Sequence, residues 1–450
     1  MNPVRSTVEG IVWPPLLAGE AAQLAALLTQ LELSEYASAA AIEDGQYRQL
    51  APLLAHHARH SGHFARRLAA AGLTAEKAAT PGGFALLGLL TRRDLQTAPD
   101  LDAREVPKAH GRIHETHSSG STGEPVHCRR TALNQLDWLG VTMRDHRWHR
   151  RDLSGRFCAI RAYQAEVSER EDWGPPATLL HRTGPALLIP TQVPIERQAE
   201  LIARFRPTSL LLYPSNLAGL LRHIDGTGQQ LDSLRDIRTF GETVPDALRT
   251  ETHRLLGLAI ADNYSTQEAG YVALQCPVSG LYHVMAENLI VEILDEAGLP
   301  CAPGKSGRVV LTDLRNFATP LIRYDIGDMA ERGGACPCGR GLPTIARVRG
   351  RVRNLLTYPD GRRAWPMLNS DHFRRIAGVA QFQFVQRTCE AIDVRLILDA
   401  PLTPGREAEM THWIQAALGN PFALRFLVEA GPLATGPSGK FEEFVGLPEG

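Results

Sequence analysis

An α/β fold with mixed β-sheets flanked by helices, a helical N-terminal cover and a small α+β C-terminal lid is what this sequence predicts, on three observations. Up to about residue 100, alanine and leucine recur at helical spacing, as in AAQLAALLTQLEL and YRQLAPLLAHHARHSGHFARRLAAAG. From about residue 155, the short apolar runs PALLIP, TSLLLYP and LAIADNY alternate with helical or turn-rich segments, a pattern of βα units that places sites at strand ends. In the last hundred residues QFQFVQR and IDVRLILDA alternate as paired strands, EAEMTHWIQAAL has an amphipathic helical pattern, and FALRFLVEA returns as a strand.

Taken in order, residues 1–110 form the helical cover of a large domain spanning 1–350. Within that domain LIVEIL and RVVLTDL flank the turn-rich EAGLPCAPGKSG and read as antiparallel sheet. Residues 351–450 form the small domain, joined through a short hinge near Arg351, since no low-complexity linker intervenes. Two domains also suit a 450-residue chain, which exceeds what one hydrophobic core usually serves.

Composition narrows the function classes. With 44% hydrophobic and 22% charged residues and a formal net charge of -1, the chain is neither a solvated disordered polymer nor a polyanion binder, so nucleic acid is not an expected partner. The start, MNPVRSTVEGIVWPP, lacks the basic-then-apolar pattern of a signal peptide, and no apolar run is long enough to span a bilayer. A cytoplasmic enzyme without a membrane partner is expected. Seven cysteines, an odd number unevenly spaced, do not make a secreted disulfide framework.

The most informative segment runs from His117 to Val126, HSSGSTGEPV, where two glycines and four hydroxyl side chains crowd together. Glycine lets backbone approach phosphate oxygens, and hydroxyls with exposed N–H groups supply donors. A Walker A loop would end in Gly-Lys-Ser/Thr, and this loop has no lysine. Taken alone, a Ser/Gly/Thr-rich loop is more often a flexible surface turn than a nucleotide site.

Further segments follow in order: Phe240-Gly241-Glu242, Asn263-Tyr-Ser-Thr-Gln-Glu268, Tyr324-Asp-Ile-Gly-Asp328, Gly350-Arg351 and Ser438-Gly-Lys440. Together with the loop they resemble the phosphate, adenine, Tyr-Gly-x-Thr/Ser-Glu, ribose, hinge and C-terminal lysine motifs of the adenylate-forming superfamily. LLTRRDLQ near residue 90, CPCGRGLP at 336–343 and the closing PSGKFEEFV narrow the resemblance to the phenylacetate–CoA ligase family and its capsule-biosynthesis relatives. The resemblance implies ATP-dependent activation of an acid, aromatic in the nearest family, to an acyl adenylate, then transfer to a thiol such as CoA.

By position, Ser118, Ser119, Gly120, Ser121, Thr122 and Gly123 would hold the β and γ phosphates, with Thr122 also catalytic. Glu268 would bind Mg²⁺, for which a carboxylate is the preferred hard ligand. Gly241, Glu242, Tyr264, Ser265 and Thr266 would line the nucleotide. Asp328 would accept from both ribose hydroxyls with Arg351 assisting. Lys440 would offset charge on the α-phosphate and carboxylate oxygens in the transition state. Ser265 stands where the family has glycine, and Arg353-Asn354 stands where an acidic pair commonly follows the hinge. Tyr163, Tyr213, Phe240 and Tyr264 are expected near the acid, although the stretch after Arg161 lacks the glycines of a phenylacetate ligase.

A second constellation is Cys276-Pro with His283 and Cys336-Pro-Cys338-Gly, three sulfurs and one imidazole, the ligand set of a closed structural zinc site at 276–338. The prolines favour wrapping turns, and Gly339 can take the positive φ of a tight knuckle. The alternative is four buried side chains without metal. Cys128, Cys158, Cys301 and Cys389 show no partner pattern and read as core or incidental. His146, Trp148 and His149 follow a helix-like run and read as solvated or capping residues. Three alternatives stay open: transfer to a carrier-protein phosphopantetheine, transfer to an amine, and a catalytically inactive structural relative. A homodimer is also compatible.

Overall fold

The computed structural model describes residues 4–117, 126–351, 355–364, 366, 378–398, 400–430, 433 and 443–447. The described residues divide into two compact units, the first ending at Val348 and the second made of the residues from Arg349 onward together with Gly327–Met329.

The larger unit begins with helices α1 (Gly19–Ser34), α2 (Ala39–His60), α3 (Gly62–Ala70), α4 (Ala75–Ala78), α5 (Pro81–Leu86) and α6 (Arg92–Thr97). The starts of α2 to α6 are set by hydroxyl caps: Ser38, Ser61, Thr74, Thr80 and Thr91 each accept from a backbone amide of the first turn. Leu24, Leu28 and Leu31 at helical spacing give α1 its buried stripe.

The hairpin β1 (Ile113–His117) and β2 (His127–Thr131) leads into α7 (Ala132–Trp148). Then follow β3 (Phe157–Arg161), β4 (Ser168–Arg170), α8 (Ala177–Leu180), β5 (Ala186–Pro190), α9 (Ile195–Phe205), β6 (Ser209–Leu212), α10 (Pro214–Thr227), β7 (Asp236–Thr239) and α11 (Asp246–Leu256). The antiparallel part adds β8 (Ile260–Thr266), β9 (Gly270–Gln275), β10 (Tyr282–Val284), β11 (Leu289–Leu294), β12 (Ser306–Asp313), β13 (Tyr324–Arg332) and β14 (Thr344–Arg351).

Among the described residues, β3 to β14 make one twelve-stranded sheet in the order β11-β12-β13-β14-β10-β9-β8-β7-β6-β3-β5-β4. Its β3, β5, β6, β7 and β8 run parallel, as helical crossovers require. Alternation along these strands gives each face its own packing. Cys158, Ile160, Leu210, Leu212 and Ile237 turn to one core with Leu201, Leu220 and Ile224 of α9 and α10. Phe157, Ala159 and Leu211 turn to the opposite face, toward Trp173 and Phe240.

The smaller unit has a sheet of its own in the order β19-β18-β17-β20, made by β17 (Val379–Thr388), β18 (Ala391–Leu398), β19 (Ala423–Val428) and β20 (Phe444–Val445). The pair β15 (Leu356–Thr357) and β16 (Arg363–Ala364) accompanies it. β17 and β18 pair antiparallel, and the helix Pro404–Leu418 buries Met410, Ile414 and Leu418 in a core with Phe382, Phe384 and Val394. The fold is thus a mixed α/β architecture with helices flanking a large sheet. No helix among the described residues is long and apolar enough to cross a membrane.

Candidate active site and metal centre

The β1–β2 hairpin is in register at His117↔His127, so residues 118–125 connect its two strands. The β8–β9 hairpin closes at Thr266↔Gly270, and its turn carries Glu268, which is buried. The turn is fixed by two hydrogen bonds, one within it and one to the other hairpin: the Ala269 amide donates to Thr266 Oγ1 at 3.0 Å, and Arg130 of β2 donates to the Ala269 carbonyl at 3.3 Å. Gly270 has φ +80°, a conformation that strains any L side chain, and a Cβ there would stand 3.1 Å from Arg130 Nη2 and press on that guanidinium. Burial pushes the Cys128 thiol far up, with the charge of Glu268 the next cause. The carboxylate therefore lies beside β2, the strand that leaves the loop predicted to hold phosphate.

Phe240, Gly241 and Glu242 form the turn after β7, at the carboxyl end of a parallel strand. Glu242 accepts from the Ser215 amide at 2.9 Å and from its hydroxyl at 3.0 Å, which places a carboxylate on the first turn of α10. The Phe240 ring lies 4.4 Å from that of Tyr213, the residue preceding α10. Tyr264 is buried within the core that also holds Val272 and Leu274, while Ser265 and Thr266 beside it are half-buried. Tyr163 is 85% exposed and stands in the wall of a cavity of about 670 Å³ at the carboxyl ends of β3 and β5.

Asn263 is a residue that sequence reasoning passed over as a site member. Its Nδ2 donates to the Thr239 carbonyl at 3.0 Å, which fixes the amide plane. Its Oδ1 is buried and accepts from no described residue, an orphan acceptor next to the Gly241 turn. An asparagine inside a strand-like run carries no local signal of this.

Asp328 lies on the buried side of β13, where Tyr324, Ile326, Asp328 and Ala330 alternate with half-buried neighbours. Ser118, Ser119, Gly120, Ser121, Thr122, Gly123 and Lys440 lie outside the described residues, as does the side chain of Arg351.

One expectation is corrected. His146 and Trp148 are not solvated: both belong to the last turn of α7 and are buried. Burial holds the His146 imidazole neutral, with Arg238 and Arg151 acting in the same direction. Trp148 Nε1 donates to Glu35 Oε2 at 2.8 Å, a buried partner 113 positions away that no periodicity reveals.

The four residues Cys276, His283, Cys336 and Cys338 converge, with their ligand atoms all within 4.8 Å of one another. Tetrahedral zinc with Zn–S near 2.3 Å sets its ligands about 3.6–3.8 Å apart. Here Cys336 Sγ is 3.7 Å from Cys276 Sγ, the separation that geometry needs, whereas His283 Nε2 is closer, 3.2 Å from Cys338 Sγ; the donor types fit that ion, and small side-chain shifts would bring the set to its spacing. His283 Nδ1 faces the Leu342 carbonyl at 3.3 Å, the outer contact that orients an Nε2 ligand. Gly339 has φ +84°, the left-handed conformation a tight knuckle needs.

The knuckle is tied to the helical segment before it. The Arg340 guanidinium lies 4.2 Å over the Trp148 ring and pairs with Glu35 at 3.4 Å, and the Gly341 amide donates to the Glu35 carbonyl. Arg144 completes this buried group, 2.6 Å from Glu287 and 3.5 Å from Glu35.

No protein-family profile matches the sequence. The chain is 26% identical over 342 residues to the phenylacetate-coenzyme A ligase of Escherichia coli, covering 74% of each chain. It is 29% identical over 168 residues to that of Thermus thermophilus, covering 36% of this chain and 38% of the other. Among solved structures, a 2-hydroxyisobutyryl-CoA ligase in its postadenylation state with a bound acyl-AMP superimposes with a TM-score of 0.72 at 17% identity, over 92% of this chain and 91% of that one. The fold is that of the adenylate-forming ligases.

Proposed function

We propose that this relative of the phenylacetate–coenzyme A ligases activates a carboxylic acid with ATP and passes the acyl group to the thiol of coenzyme A. The observation that carries the reading is the junction of Arg130 with the Ala269 carbonyl, which sets the Glu268 turn against the strand leaving the Ser/Thr/Gly loop. The relatives' names and the acyl-AMP bound by the structural neighbour point to the same chemistry.

In the first step a carboxylate oxygen of the acid attacks the α-phosphorus of ATP, the bond to the bridging oxygen breaks, and pyrophosphate leaves. Loop donors at Ser118, Ser119, Ser121 and Thr122 hold the β and γ phosphates, and Lys440 offsets charge at the α-phosphate. Glu268 would hold Mg²⁺, which neutralises charge on the leaving pyrophosphate. Asn263 Oδ1 takes the exocyclic amino group of adenine, which satisfies its unmatched acceptor, and Asp328 takes the ribose hydroxyls. In the second step the thiol loses its proton, its sulfur attacks the acyl carbon, and AMP departs with the electron pair of the broken C–O bond.

The Tyr213–Phe240 pair offers an aromatic wall for an aromatic acid, the class named in the curated relatives. Cys276, His283, Cys336 and Cys338 would hold a structural zinc ion. Four protein ligands leave no open position, so no chemical step runs through it.

Pyrophosphate release measured with a panel of aryl and short aliphatic acids tests the first step. Release with one class is expected, and none with any acid would mark the chain as an inactive relative. CoA, a holo carrier protein and simple amines, each added to the active acid, then identify the acceptor. CoA-dependent release of AMP is the expected result.

A further inference from the structure

The last residue of β3 is an arginine, and its surroundings describe what the acid carries. Arg161 pairs in register with Pro190 of β5, at the strand ends from which residues 162–167 and Pro190, Gln192, Val193 and Pro194 line an open groove. Strand alternation puts its side chain on the same face as Phe157 and Ala159, the face shared with Leu211 and Phe240. The residue is exposed; its carbonyl accepts from the amides of Gln164 and Thr191, whereas its guanidinium has no hydrogen bond or ion pair with a described residue.

The charges beneath it are already matched. Arg151 pairs with Asp145 at 2.6 Å and with Asp236 at 2.8 Å, and Arg238 pairs with Asp145 at 3.0 Å, two guanidinium groups against two carboxylates. Ser209 donates to Asp236 as well. Glu242 is committed to Ser215, and Glu166 in the cavity wall is exposed. The crowding of protein round Arg161 depresses its pKa, Arg238 adds to that, and the phenols of Tyr271 and Tyr213 oppose it. A guanidinium unmatched among the described residues, planar and with five donors, thus projects from the face that carries Phe240 and within electrostatic reach of Tyr213.

We infer that Arg161 receives a second anionic group on the acid, so that the preferred substrate is a dicarboxylic acid activated at one carboxyl while the other is held at the carboxyl end of β3. This rests on the acid-activating reading above and names its substrate class. A guanidinium and a carboxylate form two parallel charge-assisted bonds, which give both affinity and orientation, and the orientation leaves the distant carboxylate free to attack phosphorus.

The test is pyrophosphate release, without CoA, by the full-length protein on paired acids differing only in the tail: isophthalate against 3-methylbenzoate, and glutarate against pentanoate. The wild type is expected to prefer the anionic member of at least one pair. Arg161→Met is expected to lower that preference by on the order of tenfold to a hundredfold, and Arg161→Lys to retain part of it. Sulfonated and phosphorylated analogues distinguish a carboxylate from other anions. Preference for the neutral member throughout, or an equal fall for both members in Arg161→Met, overturns the inference while leaving acid activation intact. In a separate CoA-dependent assay of AMP release, a change in Arg161→Met confined to the KM for CoA, with acid preference unmoved, assigns Arg161 to the acceptor instead and overturns it too. No release with any acid removes the acid-activating reading itself and this inference with it.

Discussion

Nε2 of His283 lies 3.2 Å from Sγ of Cys338, though 55 positions separate them in the chain. With Cys276 and Cys336 they make a closed four-ligand set, so protein purified without added metal is expected to contain about one equivalent of zinc by elemental analysis. Cys338→Ser is expected to lose the ion and to lower the thermal midpoint, and a strong chelator to do the same to the wild type. Metal-free protein with an unchanged midpoint in Cys338→Ser would remove the site.

Glu268 sits in a turn held from both sides, by Thr266 and by Arg130, so its substitution should change chemistry more than shape. Glu268→Gln keeps the volume and removes the charge. We expect the Mg²⁺ concentration needed for half-maximal pyrophosphate release to rise about tenfold or more, with little change in the melting curve. An unmoved metal titration would falsify the ligand role.

Lys440→Ala separates the half-reactions. Loss of a cation that serves the phosphorus-centred transition state should cost about 2.7–4 kcal/mol there, some hundredfold to a thousandfold in rate. Thioester formation from preformed acyl-AMP and CoA should change little, as measured by single-turnover release of AMP. A comparable fall in both steps would show that the lysine serves the fold or both chemistries.

How far these features could be read in advance depends on the range of the interactions that make them. The βα alternation and the strand pairs LIVEIL/RVVLTDL and QFQFVQR/IDVRLILDA are local patterns of period and turn, and they became β11–β12 and β17–β18. The convergence of Cys336 and Cys338 with Cys276 and His283 was legible because the two cysteines of Cys336-Pro-Cys338-Gly stand close in sequence. The order of the large sheet was not, since β14 pairs with β10 about sixty residues before it, and nothing local encodes that choice. Buried polar residues were the main loss. His146, Arg144 and Glu35 look like the wet side of helices, and partners more than a hundred positions away, such as Glu35 for Trp148, help bring this group inside. Asn263 and Arg161 were missed for a related reason: an unmatched acceptor or cation is defined by what surrounds it, not by its neighbours in the chain.

Arg144 is buried between Glu287 and Glu35, with 2% of its side chain exposed. Replacing it with methionine leaves two buried carboxylates without their shared cation. The expected loss of unfolding free energy in denaturant is about 3–5 kcal/mol, since an uncompensated buried charge costs more than a lost surface pair. The triple variant Arg144→Met, Glu287→Gln, Glu35→Gln should recover part of this. A loss under about 1 kcal/mol for the single variant would show that water already screens the group.

His57 offers a pH test of the packing between α2 and the segment after β12. It is fully buried, its Nε2 donates to the Asn316 carbonyl at 2.9 Å, and burial lowers its pKa to about 3. An unfolded chain restores a histidine pKa near 6.5. Between those values the unfolded state binds the extra proton, so His57 subtracts stability as pH falls from about 6.5 toward 3, by up to about 1.4 kcal/mol per pH unit. Asp137 and Asp262, raised by burial to about 6, act in the opposite sense: their contribution is lost as pH rises through that value. Unfolding free energies of wild type and His57→Gln, compared from about pH 7 to about pH 4, should therefore differ in slope by up to about one proton, with the variant flatter even if it is less stable at neutral pH. Parallel slopes would mean that the imidazole already reaches water in the folded protein.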